Sequence, residues 1–393
     1  MSNGSGFDSR VSAAGMGTVF GIDSHARTTT VCALVPATGE VEARTFRGND
    51  YGDMLGWMTR PSLPGPRLGV YEAGCTGYVP ARLLSGAGLS VVPIAPSKVP
   101  TSSESRARKN DRADAERLAR LAVAGELRAV WVPGEDVEGL RDLSHALEDL
   151  AAQRDAARRR VEALLCRHGE VFDERTPRGR RRKAWGAAYR EWLAARRLPS
   201  KGSRAALEAA VRAERSATEQ HDALLARAEA VAAASPLAGA VDALRCVKCV
   251  GFVTALAYCA EVGDFSRFPS GRRVTSYLGL APSESSSGLS TRNGAATKCG
   301  PALLRRLLVE CSWAAGRLSA ARPKACPAGV DARVAERART LSARLAERRR
   351  DMLARGVQPC KANAATAAEL GRFLLFLGKL QQEVEAEAAR AAA

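Results

Sequence analysis

Short apolar runs separated by polar turns dominate the first third of the chain, and their alternation is typical of an α/β domain. Strands are predicted at TVFGID, TTTVCALV, GEVEARTFRG, RLGVYEA and LSVVPIAP. Helices are predicted at YGDMLGWM, YVPARLLSG and KNDRADAERLARL. Because helices separate only the later strands, we expect an antiparallel meander that continues into α/β units over residues 18–135. Residues 1–17 have no apolar core and are expected to form a flexible leader.

The hydrophobic pattern changes to helical spacing in the middle of the chain. Apolar residues recur every three or four positions between Arg, Glu and Ala, as in LRDLSHALEDLAAQRDAARRRVEALL. This spacing predicts long amphipathic helices, paired antiparallel, in a coiled-coil-like region over 136–238 that would serve oligomerisation and nucleic-acid binding. A compact pattern with glycines follows over 239–320, and further helical stretches occupy 321–393. The C-terminal part is therefore expected to be mainly α.

The charge balance points to a polyanionic partner. Lys and Arg total 59 against 42 Asp and Glu, which gives a formal net charge of +17 at pH 7. Nucleic acid is the commonest partner of so basic a chain. A general Arg-rich bias of the source proteome would produce the same excess, so composition favours nucleic acid without establishing it.

The cysteines and the apolar runs argue against a zinc site and a membrane span. Among ten cysteines, only Cys246 and Cys249 form a CxxC pair, and a structural zinc site normally needs a second pair at matching spacing. His221 and Cys259 stand alone on either side, so we expect reduced, packed thiols rather than zinc. No apolar run approaches the roughly 20 residues of a membrane span. We expect a soluble, intracellular protein with no membrane partner.

Four acids carry the candidate chemistry. Asp23 and Glu72 each end a predicted strand, while Asp111 and Asp114 lie one helical turn apart at the start of a helix. Taken alone, the helical pair has a simple explanation, since Asn110 or Asp111 would cap the helix and acids suit its positive end. In an RNase H-like sheet, however, acids at these places converge. Close carboxylates repel unless cations neutralise them, which suits Mg²⁺ or Mn²⁺ in a two-metal arrangement.

The order and spacing of these acids resemble a known family. GIDSHART, VYEAGCTG and NDRADAERLARL are similar to the three acidic motifs of the DEDD insertion-sequence transposases, the "one-ten" group with a RuvC-like N-terminal domain. Glu72 follows Asp23 by 49 positions and Asp111 follows Glu72 by 39. The resemblance implies an RNase H-like (RuvC-like) fold. It also implies that Asp23, Glu72, Asp111 and Asp114 are catalytic and bind the metal.

A second part of the chain resembles the same family. TSYLGLAPSESSSGLSTRNGAATKCGPALLRRLLVECSW is similar to its C-terminal transposase domain, in which a serine before a glycine is the nucleophile. That serine maps to Ser287, with Ser285 and Ser286 as neighbouring alternatives. Lys298 and Arg305 are natural phosphate contacts, although each would equally serve as a solvated helix cation.

The segment TPRGRRRKAWGAAYREW places basic residues beside aromatic ones. A charged run is usually a solvated face, but aromatics among arginines favour contact with a nucleic-acid backbone together with base stacking. The candidate backbone contacts are Arg180, Arg181, Arg182 and Lys183, and the interleaved aromatics are Trp185, Tyr189 and Trp192.

The resemblance implies a DNA transposase that excises and inserts its own element, using a serine nucleophile with a DEDD metal site. It further implies element ends and target as double-stranded DNA partners, a structured (bridge) RNA guide, and a homo-oligomer, dimer to tetramer. The expected location is cytoplasmic, at the nucleoid. Two alternatives stay open: a RuvC-like metal-dependent endonuclease of the junction-resolvase type that uses only water, and a non-catalytic nucleic-acid scaffold.

Overall fold

The structure is a computed structural model that describes residues 10–48, 50–96, 99–100, 110–287, 290–315 and 324–392, with the backbone alone over 284–287 and 290–293. Residues 1–9 of the expected leader therefore lie outside the described residues. The chain divides into two compact units, Met1–Pro133 and Gly134–Ala393. The finer division at 238 and 320 stays a prediction.

The first unit is built on a five-stranded mixed sheet. Its strands are β1 (Thr18–Ser24), β2 (Thr28–Val35), β3 (Glu40–Arg47), β4 (Arg67–Glu72) and β5 (Ser90–Ile94). They lie in the order β3-β2-β1-β4-β5. The first three form the predicted antiparallel meander, and β4 runs parallel to both β1 and β5. Because β1 and β4 are parallel neighbours, both end at the same edge of the sheet. The arrangement is consistent with the expected RNase H-like fold.

Side chains of β1 alternate between two apolar clusters, as the period of a strand requires. The helices of this unit are α1 (Tyr51–Met58), α2 (Val79–Gly86) and α3 (Asp111–Val123). Phe20 and Ile22 pack with Met54 of α1 in one cluster. Val19 packs with Leu118 of α3 in the other. The sheet is thus covered on both faces, and α3 lies against β1.

Gly21 allows α3 to approach β1 unusually closely. A Cβ atom at this position would lie 1.8 Å from the carbonyl oxygen of Ala115 and 2.7 Å from the amide nitrogen of Ala119. Ala115 and Ala119 are themselves fully buried. The helix therefore packs its small side chains directly on the strand backbone, two residues before Asp23.

The second unit is mainly helical, as expected. Its described elements are, in order, α4 (Glu135–Arg167), α5 (Ala187–Ala194), α6 (Lys201–Ala233), α7 (Ala238–Arg245), α8 (Phe252–Val262), a 3-10 turn (Phe265–Arg267), α9 (Gly271–Tyr277), β6 (Pro282–Ser287), β7 (Ser290–Ala296), α10 (Ala302–Ala315), α11 (Ala332–Ala354) and α12 (Pro359–Ala392). The helices α4 and α6 pack antiparallel, because Arg154 contacts His221 whereas Arg158 contacts Glu214.

Two further findings concern the state of the cysteines and the membrane-spanning potential of the helices. Cys246 is joined to Cys326 by a disulfide, with Cα atoms 4.7 Å apart, so the expectation of reduced thiols is wrong for this residue. The two cysteines are 80 positions apart in sequence, which spacing within a CxxC motif cannot reveal. Within the described residues no single helix is long and apolar enough to span a membrane, although the bent pair α6 and α7 passes that test of length and composition when taken together.

The packing at Gly21 yields a testable expectation. We predict that Gly21→Ala lowers the free energy of unfolding by about 1–3 kcal/mol, the usual cost of overpacking, because the new methyl group must push α3 away from β1. Chemical denaturation followed by circular dichroism measures this. Gly56→Ala in α1 is the matched control, since a Cβ there meets no atom within 4 Å. Equal stability of the two variants would contradict the close packing.

Candidate functional site

The strand acids lie at one edge of the sheet. Asp23 is the next-to-last residue of β1 and Glu72 the last residue of β4. The pairing of Ile22 with Tyr71 sets the register of these parallel strands, so that both acids follow the paired positions on the same edge. The sequence-based placement of each acid at a strand end is therefore observed.

The helical acids are not used for capping. Asn110 is the N-cap residue of α3, and its side chain accepts a hydrogen bond from the backbone N–H of Arg112 at 3.0 Å. Asp111 and Asp114 occupy the first turn, where the positive end of the helix dipole favours their charge. Of the two capping candidates in the sequence, the structure uses Asn110, which leaves both carboxylates available to a ligand.

A histidine that sequence reasoning did not select lies between Asp23 and Asp111. The Nε2 atom of His25 is 3.3 Å from Oδ2 of Asp23 and 3.8 Å from Oδ1 of Asp111. One ligand atom from each of these three residues lies within 4.8 Å of the other two. His25 lies in the turn after β1, where its backbone N–H donates a hydrogen bond to the carbonyl of Thr28 at 2.9 Å. The turn brings it back to the acids, so neither strand nor helix periodicity identifies it.

Arg117 lies between the other two acids, Asp114 and Glu72, as His25 lies between Asp23 and Asp111. Its guanidinium is 3.2 Å from Oδ1 of Asp114 and 3.9 Å from Oε1 of Glu72. Its spacing from Asp114 on α3 is i to i+3, a signal of helical pairing that the sequence does contain. Among the described residues, His25 therefore lies against one half of the acidic set and the Arg117 guanidinium against the other.

Electrostatics couples the two halves. Burial raises the pKa of Asp23, His25 opposes that rise, and the charges of Asp111 and Asp114 add to it. Burial likewise raises the pKa of Glu72, Arg117 opposes the rise, and Asp23 and Asp114 add to it. The ionised set is thus penalised, and a bound divalent cation would relieve the penalty. The oxygen-rich donor set fits Mg²⁺ or Mn²⁺.

The serine candidate belongs to the second unit. Ser287 is the last residue of β6 and pairs with Ser290 of β7. The alternatives Ser285 and Ser286 pair with Arg292 and Thr291 in the same hairpin. The structure describes only the backbone of these serines, so it does not select among them. The nucleophile therefore stays a prediction.

Lys298 and Arg305 follow the hairpin and differ in their freedom to bind phosphate. Lys298 is exposed and has a positive φ of 55°. Arg305 is half-buried, and its guanidinium donates to the carbonyl of Leu278 at 3.2 Å. Arg305 thus satisfies a carbonyl at the end of α9, and Lys298 is the freer cation of the two.

The basic segment between α4 and α6 contains both paired and unpaired cations. Arg181 lies 2.7 Å from Asp173 and Arg182 lies 3.7 Å from Glu174. Arg180 and Lys183 are exposed and form no ion pair with a described residue. Because ion pairing reduces the local net charge at Arg181 and Arg182, Arg180 and Lys183 are better suited to contact a phosphate backbone.

The aromatic residues of this segment form a small core instead of a stacking surface. Tyr189 is only 3% exposed and its ring centroid lies 5.1 Å from that of Phe172 and 4.9 Å from that of Trp185. Trp185 donates from Nε1 to Glu162 at 2.7 Å. Base stacking on Tyr189, an expectation from the sequence, is therefore wrong, because these rings bury one another between α4 and α5.

Metal-free protein offers a direct test of the penalty on Asp23. Since the pKa of Asp23 is raised, its ionised form destabilises the fold at neutral pH, and the effect fades as the pH falls towards the ordinary value of 3.8. We predict that Asp23→Asn raises Tm at pH 7 with a chelator present. We also predict that Mg²⁺ raises the Tm of the wild type but not of the variant.

The matched control for this test is Glu229→Gln, which removes an exposed acid from α6. Its Tm should follow the wild type with and without Mg²⁺. Equal Mg²⁺-dependent shifts in the wild type and Asp23→Asn would contradict metal binding at Asp23.

Comparison with known proteins agrees with this geometry. Residues 20–169 match a DEDD-type model described as a transposase, and residues 241–325 match the model described as "Transposase IS116/IS110/IS902 family". Together these matches cover more than half of the 393 residues.

Individual relatives agree with the family matches. The protein y4qE of Sinorhizobium fredii is 36% identical over 243 residues, which are 62% of this chain and 57% of y4qE. The transposase for insertion sequence element IS1533 of Leptospira borgpetersenii is 27% identical over 245 residues, 62% of this chain and 69% of that protein. The chain thus spans less than two thirds of y4qE. It belongs to the IS116/IS110/IS902 transposase family.

Proposed function

We propose that the protein is a DNA transposase that excises and reinserts its own mobile element, using Ser287 together with a divalent-metal site at Asp23, Glu72, Asp111 and Asp114. The observation that supports this most strongly is the geometry of the acids. Asp23 and Glu72 end neighbouring parallel strands, Asp111 lies with Asp23 and His25, and Arg117 contacts both Asp114 and Glu72. Membership of the transposase family supports it independently.

The division of the acids into two halves suggests how they would act. Asp23 and Asp111, with His25, form one half, and Glu72 and Asp114, with Arg117, form the other. Bound Mg²⁺ or Mn²⁺ would polarise a phosphodiester and stabilise the attacking and leaving oxygens. In the absence of metal, His25 and Arg117 hold the carboxylates in place and limit their repulsion. A relaxed, solvent-exposed set of acids would not be preorganised in this way.

Ser287 would supply the nucleophile. Its Oγ forms a bond to phosphorus while the bond from that phosphorus to a sugar oxygen breaks, leaving the DNA end on the serine. The hydroxyl proton passes to a base, and the departing oxygen takes up a proton. The predicted serine domain, 239–320, contains no histidine, since His25, His145, His168 and His221 all precede it. We therefore assign activation of the hydroxyl to the metal-binding carboxylates, acting on the same phosphate.

The proposed partners extend this function. Double-stranded element ends and target DNA would be the substrates, guided by a structured RNA. A homo-oligomer, dimer to tetramer, would hold the ends, and the place of action would be the nucleoid. The excess of cations supports a nucleic-acid partner.

A water-using endonuclease of the junction-resolvase type is the second candidate. It requires only the acidic set, and that set is the part of the site whose side-chain geometry is described. It differs from the first candidate in forming no covalent protein–DNA product.

Trapping of the covalent product separates the two candidates. We predict that wild-type protein with Mg²⁺ and element-end DNA yields a phosphoserine adduct, mapped by mass spectrometry to residue 287, and that Ser287→Ala yields none. Ser290→Ala, on the facing strand, is the control and should keep the adduct. An adduct on Ser285 or Ser286 would move the nucleophile along β6. Cleavage without any adduct would favour the endonuclease.

Salt dependence tests the basic segment. Counterion release predicts that each lost phosphate contact reduces the slope of log K against log salt by about 0.7–0.9. We expect about twice this reduction from the combined change of Arg180 and Lys183 to Ala, which removes two contacts, and a smaller one from changing the ion-paired Arg181 and Arg182. Arg215→Ala on α6, whose guanidinium lies 3.9 Å from Glu219, is the control. An unchanged slope would mean that the segment only faces solvent.

A further inference from the structure

The second unit contains a cleft of about 940 Å³ beside the serine hairpin. One wall is formed by Pro282 at the start of β6 and by residues 294–296 at the end of β7. The floor consists of the small residues Ala364, Ala365 and Ala368 on α12. The same hairpin that carries Ser287 therefore borders the cleft.

Cations surround this floor. Arg272 of α9, Arg348 of α11, and Lys361 and Arg372 of α12 all line the cleft, and none of the described lining residues is acidic. Arg272 and Lys361 are exposed and form no ion pair with a described residue. Arg272 and Lys361 therefore keep their full charge at the cleft, which favours a polyanionic occupant.

Two of the cations, Arg348 and Arg372, are held in position by neighbouring residues. Arg348 lies 2.9 Å from Glu369, a buried acid that Arg344 also contacts at 3.5 Å. Arg372 lies against Gly271, where an added Cβ would be 2.9 Å from its Cγ. Its Nε is buried and has no hydrogen-bond partner. These cations are thus fixed by packing, which lowers the entropy cost of binding an anion.

The shape fits a chain of phosphates more closely than a compact anion. The alanine floor leaves space along the cleft, and the cations stand on three different helices around it. A phosphodiester backbone presents one charge after another at regular intervals, and Arg and Lys are its usual contacts. An acidic loop of a partner protein would also need an apolar or polar docking surface around the cleft, and the described lining residues are mainly cations and alanines.

We propose that this cleft binds the backbone of the DNA strand that leads to Ser287. The inference rests on the proposed function, since it takes the serine hairpin as the place of strand transfer. From Pro282 to Ser287 the strand rises by roughly 17 Å, at about 3.4 Å per residue. That distance corresponds to about five phosphate steps along one strand of a duplex. Phosphates held in the cleft would lie a few nucleotides from the attacked bond.

Cys360 provides a native reporter of occupancy, because its exposed thiol lines the cleft. We expect a 30-base-pair duplex to slow alkylation of Cys360 by N-ethylmaleimide at least several-fold in metal-free Ser287→Ala protein, with sites read by mass spectrometry. A small free thiol added to the same reaction is the internal reference for the reagent, because Cys166 lies beside Arg181 and Arg182 of the basic segment. An unchanged rate at Cys360 under saturating duplex would overturn the proposal.

Charge removal gives the second measurement. Combined change of Arg272 and Lys361 to Ala should reduce the salt slope of duplex binding by about 1.8, the sum for two lost contacts to duplex DNA. It should also abolish protection of Cys360. The control is the combined change of Arg339 and Arg355, exposed cations of α11 and its C-terminal end that do not line the cleft. Equal slopes for both double variants would contradict the assignment.

The outcomes distinguish this inference from the proposed function. If the cleft variant loses protection and the wild type forms no serine adduct, the DNA-binding cleft is supported and the serine mechanism is refuted. If an adduct forms at Ser287 but Cys360 is not protected, the serine mechanism is supported and the DNA-binding cleft is refuted. Protection by an RNA of the same sequence but not by the DNA duplex would overturn the choice of DNA.

Discussion

Repulsion among carboxylates at one sheet edge is the constraint on which the first unit depends. Asp23 and Glu72 are partly buried. The charges of Asp111 and Asp114 raise the free energy of ionised Asp23, and those of Asp23 and Asp114 raise that of ionised Glu72. His25 and Arg117 each compensate one half of the set, without removing the penalty. Such a set costs stability, and a divalent cation is the ligand that would recover it. We interpret the strain as the electrostatic cost of a preorganised metal site.

The fold maintains this arrangement through backbone packing. Parallel pairing of β1 and β4 sets the two strand acids at one edge, and Gly21 lets α3 lie close enough for its first turn to join them. Asn110 takes the capping role, so neither helical carboxylate is used as the cap. In the second unit, buried Glu369 positions Arg348 of the cleft by an ion pair, and Gly271 lets Arg372 pack closely.

The sequence predicted the elements that carry the acids, because strands and helices have periods that a short window reveals. It could not predict His25, which a turn returns to Asp23, nor choose Asn110 over Asp111 as the cap, since both are good capping residues. The disulfide of Cys246 with Cys326 and the pairing of Arg348 with Glu369 join residues distant in sequence. Tyr189 was misjudged because an aromatic among arginines suits either a base or a small core, and only packing decides.

Counting bound Mn²⁺ by electron paramagnetic resonance tests the central claim most directly, since it asks whether the four acids form one metal site. The account predicts saturable binding by the wild type and by Ser287→Ala, and its loss when Asp111 and Asp114 are both changed to Asn. Binding by that double variant equal to the wild type would show that the acids at the sheet edge are not a metal centre.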